Sequence, residues 1–197
     1  MNDRRTFDVY AERAQEYADA TAPGIPDDPS LADFIAGLPP GVRVLDLGCG
    51  PGGFAKVMAD AGLDVVAMDP VPEMVALAAA AKGVTARLGS FDDLDEIDAY
   101  DGIWANFSLL HAPRTEMPRH LASIHAALRK GGKLHLAVKT GKGEKRDSLG
   151  RLYTYYEPAE LTSLLGQAGF VVRKTTTGRD KGLDGTMADW IAVAADG

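Results

Sequence analysis

The chain has 197 residues, of which 46% are hydrophobic and 25% charged, and its formal net charge is −7. This composition fits one globular domain with a sizeable core and excludes a disordered chain, and the negative charge disfavours long-range steering of a nucleic acid. The lone cysteine, Cys49, excludes an intramolecular disulfide and fits a reducing, cytoplasmic setting.

Residues Thr6 to Ala20 carry Phe7, Tyr10, Ala14 and Tyr17 at helical spacing. The run is amphipathic and acidic, so Arg4-Arg5 ahead of it is not read as a twin-arginine export signal. Pro23, Pro26 and Pro29 make the next segment a loop, and Leu31 to Leu38 reads as a second helix, stopped by Pro39-Pro40-Gly41. Strands and helices then alternate. VRVLDL is a continuous apolar run of strand length, GFAKVMADAG a helix, DVVAMD a strand, PEMVALAAAAKG a helix and VTARLG a third strand. YDGIWANF and KLHLAVKT read as the fourth and fifth strands, with a helix between them ending at Gly131-Gly132. A helix from Glu157 to Ala168, a strand from Phe170 and a last strand around Ala188 to Ala194 complete the chain. No stretch has the length and apolarity of a membrane span. The alternation predicts a mostly parallel sheet covered on both faces, with ligands beyond the carboxyl ends of its strands. We expect a single domain over residues 1–197, with 1–40 a helical cap and 41–197 the core.

VLDLGCGPGG, Val44 to Gly53, places a glycine loop at the end of the first strand. Gly48, Gly50 and Gly53 formally match the dinucleotide pattern G-x-G-x-x-G, which leaves a nicotinamide-dependent oxidoreductase as one reading. Asp46 opposes it, because a carboxylate at the mouth of the loop repels a pyrophosphate. The same carboxylate suits a ligand with an ammonium and a sulfonium, as S-adenosylmethionine has. Gly48, Gly50 and Gly52 would let backbone pass under such a ligand. Asp69, 23 positions beyond Asp46, is placed to accept from both ribose hydroxyls, or to cap the following helix. His111 stands just past the fourth strand, as a base, a group that positions the acceptor, or a structural residue. His120, His125 and His135 fall within predicted helix or strand and are assigned no role. No Cys/His cluster has ligand spacing, so no metal is expected.

Asp46 to Gly52, D-L-G-C-G-P-G, resembles motif I of the class I S-adenosylmethionine-dependent methyltransferases. The resemblance extends through Asp69, GSFDDL and LRKGGKLHLAV. Within the class, YDGIWANFSLLHAPR, K-T-G-K-G-E and G-R-L-Y-T-Y-Y look most like a bacterial small-molecule group labelled tellurite-resistance-like or "type 12". The resemblance implies an α/β, Rossmann-like, seven-stranded sheet with helices on both faces and its last strand antiparallel, Met187 to Ala194 being the inserted strand. It implies that Phe91 lies against adenine and Asp92 accepts from its amine, with Phe91 in the core and Asp92 in a solvated turn as the alternative. Backbone carbonyls of Asn106 and Phe107 would hold the methionine ammonium, and Tyr17 would act as a lid. NFSL differs from the N-P-P-Y motif of amino-methylating enzymes, and Cys49 is misplaced for cytosine C5 chemistry, so the expected acceptor is a small molecule. KTGKGEKRDSLGRLYTYY, Lys139 to Tyr156, carries five basic residues and two acids. Lys142, Lys145 and Arg146 read as a solvated, mobile loop, while Lys139 and Arg151, with Tyr153, are expected to bind an anionic acceptor. A binder of S-adenosylmethionine without catalysis is the other class left open.

Overall fold

A computed structural model of the chain describes residues 3–197. Five strands come first: β1 (Arg43–Leu47), β2 (Asp64–Asp69), β3 (Val84–Leu88), β4 (Tyr100–Asn106) and β5 (Leu128–Lys139). A hairpin of β6 (Glu144–Arg146) and β7 (Leu152–Thr154) follows, then β8 (Val171–Lys181) and β9 (Met187–Asp196). The main sheet has the order β3-β2-β1-β4-β5-β9-β8. Its first five strands run parallel, and β9 is inserted antiparallel between β5 and β8, as expected for the final strand.

Strands buried on both faces read as unbroken apolar runs, with successive side chains going to opposite layers. Leu45, Leu47 and Ile103 pack on one face with Leu121 of α6 (Met117–Ala127) and Leu161 of α7 (Pro158–Gln167), which close that side of the sheet. Val44, Val65 and Trp104 face the other way, against Leu31 and Phe34 of α3 (Pro29–Ala36) and Met58 of α4 (Gly53–Asp60). The period of two therefore places Asp46 with Val44, and Asp69 with Val65, on the α4 side. The chain leaves β1 toward β2 and β3 and later returns to β4 on its other side, so the strand order reverses between β1 and β4. That reversal opens a crevice at their carboxyl ends.

Two expected helices change. The stretch from Thr6 to Ala20 is two helices, α1 (Arg4–Glu12) and α2 (Ala14–Thr21), broken at Arg13, whose φ of −119° and ψ of 20° are not helical. The helix expected to reach Gly131-Gly132 stops at Ala127, and Leu128 is already extended. Leu128 is buried and pairs with Tyr100, and a bulge between Tyr100 and Gly102 absorbs the register shift this early start creates. Among the described residues no helix is long and apolar enough to cross a membrane.

Candidate active site

The loop after β1 is tied down by its own amides. The N–H groups of Gly48 and Cys49 both donate to the Met68 carbonyl, at 2.8 and 3.0 Å. Gly50 N–H donates to one oxygen of Asp69 and Val71 N–H to the other, each at 2.9 Å. Gly48 and Gly52 take φ of 74° and 81°, where a side chain is strained. Gly52 does not line the cavity: it caps α4 and lets that helix lie against Ala78 of α5 (Pro72–Ala79), so its role is packing.

Above the loop lies a cavity of about 370 Å3. Asp46, Gly48, Gly50, Asp69, Phe91, Asn106, Phe107, His111 and Tyr17 all border it. Asp46 is only 2% exposed, and its Oδ2 has no hydrogen-bond partner. Burial, and then the charge of Asp69, push its carboxyl up to about 8, against a bond from the Ala55 N–H. Burial also raises Asp69 to about 6, although its two backbone donors favour the ionised form. Two carboxyls thus share one buried crevice, and the acceptor atom aimed into it lacks a donor. A cationic ligand meets that need and an anionic one does not. Phe91 and Tyr17 add flat aromatic walls; Tyr17 lies against the loop, 3.5 Å from where a side chain on Gly50 would begin.

Phe107 leaves β4 with φ of 52°, the kind of local strain that is held in place by its surroundings. The Asn106 side-chain oxygen accepts from His135 Nε2 at 3.1 Å, so that amide is anchored by the neighbouring strand β5. Burial keeps His135 neutral, at about 3, which suits this contact.

The single turn Phe91–Asp93, capped by Ser90, faces Asp92 outward. Asp92 is exposed, pairs with Arg119 and is not among the residues that line the cavity. Asp92, Glu116 and His120 bring their ligand atoms within 4.8 Å of one another, but Arg119 already bonds both carboxylates. Buried His120, to which the sequence assigned no role, lines the cavity with its ring 5.4 Å from Phe91.

Beyond β4, His111 Nδ1 lies 2.6 Å from the Leu152 carbonyl and Nε2 lies 2.9 Å from the Tyr10 hydroxyl. A carbonyl only accepts, so Nδ1 bears the proton and Nε2 presents a lone pair. Burial, together with the nearby Arg151 and Lys139 charges, lowers His111 to about 4 and keeps it neutral near pH 7. Tyr10 was read as part of a helical stripe, and no sequence signal marks it as a site residue.

Lys145 and Arg146 lie in a hairpin and not in the mobile loop expected for them, while Lys142 sits in the exposed bend ahead of it. Arg146 holds both oxygens of Asp3 at 2.8 Å, and Lys145 lies 5.0 Å over the Tyr155 ring. Arg151 is 1% exposed; its Nε and Nη2 reach Asp147 at 2.9 and 2.6 Å, and its Nη1 donates to the Tyr10 hydroxyl at 3.0 Å. Lys139 lies 3.8 Å over the Tyr153 ring. Arg151, Lys139 and Tyr153 stand behind the cavity and do not line it. Arg151 already has its carboxylate, and this removes the reason to expect it to grip an anionic acceptor.

A family profile described as "Methyltransferase domain" matches residues 10–175. The ubiquinone biosynthesis O-methyltransferase of Xanthomonas axonopodis pv. citri is 34% identical over 145 residues, covering 67% of this chain and 59% of that one. The chain therefore spans about three-fifths of the length of such curated relatives. Among solved structures, the 1,6-didemethyltoxoflavin-N1-methyltransferase of Burkholderia thailandensis, bound to 1,6-didemethyltoxoflavin and S-adenosylhomocysteine, superposes with a TM-score of 0.80 at 24% identity, over 98% of this chain and 87% of that one. An S-adenosylmethionine-dependent methyltransferase from Methanosarcina mazei gives a TM-score of 0.74 at 17% identity, over 86% and 97% of the two chains.

Proposed function

Because the chain belongs to the methyltransferase-domain family, as a class I S-adenosylmethionine-dependent enzyme, we propose that it methylates a hydroxyl oxygen of a small molecule and that His111 takes up the departing proton. Bound S-adenosylmethionine supplies an already activated methyl group, so the protein's task is to hold, align and exclude water. In this reading Asp46 and the backbone carbonyls of Asn106 and Phe107 hold the ammonium. Asp69 accepts from the ribose, Phe91 lies against the adenine, and Gly48 and Gly50 keep the floor low. Tyr17 and the helices ahead of β1 cap the site.

The observation that carries the hydroxyl reading is the state of His111. Its neutral ring, with Nδ1 fixed as donor on Leu152, presents a proton acceptor beside the cavity. A hydroxyl needs such an acceptor, whereas a carboxylate is ionised at neutral pH and does not. The relatives named as O-methyltransferases point the same way. The Arg151–Asp147 pair favours a neutral acceptor over an anionic one. The segments YDGIWANFSLLHAPR, KTGKGE and GRLYTYY support placing the chain in the "type 12" group.

The test is calorimetric binding of S-adenosylmethionine, followed by assay of S-adenosylhomocysteine release with phenols, small acids, amines and thiols. Turnover with phenols supports the proposal; methylation of amines or thiols alone overturns it. His111→Ala is expected to lower turnover about 100-fold while leaving cofactor affinity within about twofold. Equal losses in both would mark His111 as structural.

A further inference from the structure

The sheet carries a second hollow, on the face covered by α3. It is a groove of about 390 Å3 between α3 and the strands β5, β9 and β8. Ala192 and Ala194 lie in it, and their short side chains leave the sheet bare there. His135 lines the same groove and is 4% exposed. Its ring stacks on Trp104, with centroids 3.6 Å apart and planes 13° from parallel. Nε2 donates to the Asn106 oxygen, so Nδ1 holds a lone pair. Nδ1 has no partner among the described residues and is not sealed in the core, so the groove is where a donor reaches it.

Charge in the groove is uneven. Lys133, Arg173 and Lys174 line it against Asp33 and Asp196, three cations to two carboxylates, in a chain of net charge −7. Asp196 is shared: Lys133 Nζ reaches one oxygen at 2.8 Å and Arg173 Nε the other at 2.7 Å. The two terminal nitrogens of Arg173 have no partner among the described residues. Lys174 meets Asp33 of α3 at 2.7 Å, and with both side chains 63% exposed that pair opens at little cost. His135 is level with Ala194, and Ala194 with Lys174, the neighbour of Arg173. Two strand spacings separate the backbones by about 10 Å. Side chains reaching in from both strands leave the span of a single ring.

We propose that this groove binds a small single-ring monoanion with a hydrogen-bond donor on the same ring, and that its occupation is felt at Asn106. The anion lies on the free nitrogens of Arg173, the ring over Ala192 and Ala194 beside Phe34, and the donor on His135 Nδ1. A donor on Nδ1 polarises the imidazole and strengthens the bond from Nε2–H to the Asn106 oxygen. Asn106 lines the active-site cavity, so one hydrogen bond joins the two sites.

The test uses the full chain saturated with S-adenosylhomocysteine and 3-hydroxybenzoate as the probe, with benzoate and phenol beside it. Nitrogen NMR follows His135, the Asn106 side-chain amide and His111, whose ring reports entry into the active-site cavity. 3-Hydroxybenzoate is expected to move His135 Nδ1 away from the resonance of an unbonded nitrogen and to shift the Asn106 amide, with His111 unmoved. Benzoate should leave Nδ1 in place, and phenol should bind at least about tenfold more weakly than 3-hydroxybenzoate. Arg173→Met should weaken 3-hydroxybenzoate by about tenfold or more. Ala194→Leu fills the groove from an exposed position and should abolish the Nδ1 shift. Neither residue lines the active-site cavity, so both variants should keep the parent's affinity for S-adenosylhomocysteine. An unmoved Nδ1, a shift that survives Ala194→Leu, or phenol bound as tightly as 3-hydroxybenzoate overturns the site. A probe that moves only His111 lies in the active site and overturns it too. Movement of Nδ1 with the Asn106 amide unchanged overturns the link between the two sites.

Discussion

Asp46→Asn is expected to make the ligand-free protein more stable and its hold on S-adenosylmethionine weaker. Asp46 is buried with one oxygen unpartnered, and its carboxyl is raised from 3.8 to about 8. A carboxyl raised on folding contributes stability that is complete below its unfolded value and is lost as pH climbs through the folded one. The parent and the Asn variant should therefore melt alike near pH 4. They part as pH rises to about 8 and stay apart above it, by on the order of a few kcal/mol. Asparagine keeps an oxygen for the Ala55 N–H but cannot carry charge. Without that charge the cofactor's ammonium loses a charge-assisted partner, worth about 1.5–3 kcal/mol, or roughly ten- to a hundredfold in affinity. In the parent, affinity should rise with pH as Asp69, at about 6, and then Asp46, at about 8, ionise. The variant should lose the upper part of that rise. Scanning calorimetry and titration calorimetry across this range check both halves. Undiminished affinity of Asp46→Asn at pH 8 would remove Asp46 from the cofactor site.

Gly52→Ala should be among the most damaging single changes in the glycine loop. At φ of 81° any L side chain is strained, at about 1–2 kcal/mol. A Cβ there would come within 2.7 Å of the Ala78 Cα, which is backbone and cannot turn aside. Overpacking of that kind costs about 1–3 kcal/mol more. Relief requires α4 to move away from α5, and α4 carries the Ala55 N–H that holds Asp46. We expect a melting temperature lower by about 8 °C or more and a cofactor affinity reduced at least about tenfold. Gly41→Ala is the comparison: its φ is 75°, with open space where the Cβ would be. Equal losses in the two variants would show that backbone strain alone matters and that the α4–α5 contact does not.

What could be read in advance was local. The strands announce themselves because burial on both faces leaves few polar positions, and Asp46 stands out as a charge among the buried positions of the first strand. The loop, Asp69 and His111 are legible because the carboxyl ends of successive parallel strands meet at one edge, whatever the side chains in between. What escaped depends on distant partners. Tyr10 reads as an ordinary member of a helical stripe; its hydrogen-bond partner is His111, 101 residues later. Arg151 reads as a free cation because pairing with Asp147 at its side needs the tight turn of the hairpin. Leu128 continues a helical pattern, and only Tyr100 across the sheet draws it into a strand. Asp92 reads either as a ligand contact or as part of a solvated turn, and its pairing with Arg119, 27 residues on, lies outside any local pattern.

The attachment of α1 also bears on how the molecule is made. Its ties run from Tyr10 to His111, from Asp3 to Arg146, from Tyr10 to Arg151 and from Thr6 to Leu152, at separations of 101, 143, 141 and 146 residues. A helix of nine residues does not hold itself in water. During synthesis α5 and His111 are therefore its partners before the hairpin, and the ties to Arg146, Arg151 and Leu152 form only once β6 and β7 have emerged. The sheet around β1, β2 and β4 is complete in sequence well before then, so the cofactor crevice can form ahead of the residues that seal it. A nascent chain halted before Arg146 would be expected to bind S-adenosylhomocysteine weakly and to leave Tyr10 open to solvent. The ties of α1 to the hairpin are thus the last contacts around the crevice to be assembled, because they close longer loops than the tie to His111 does.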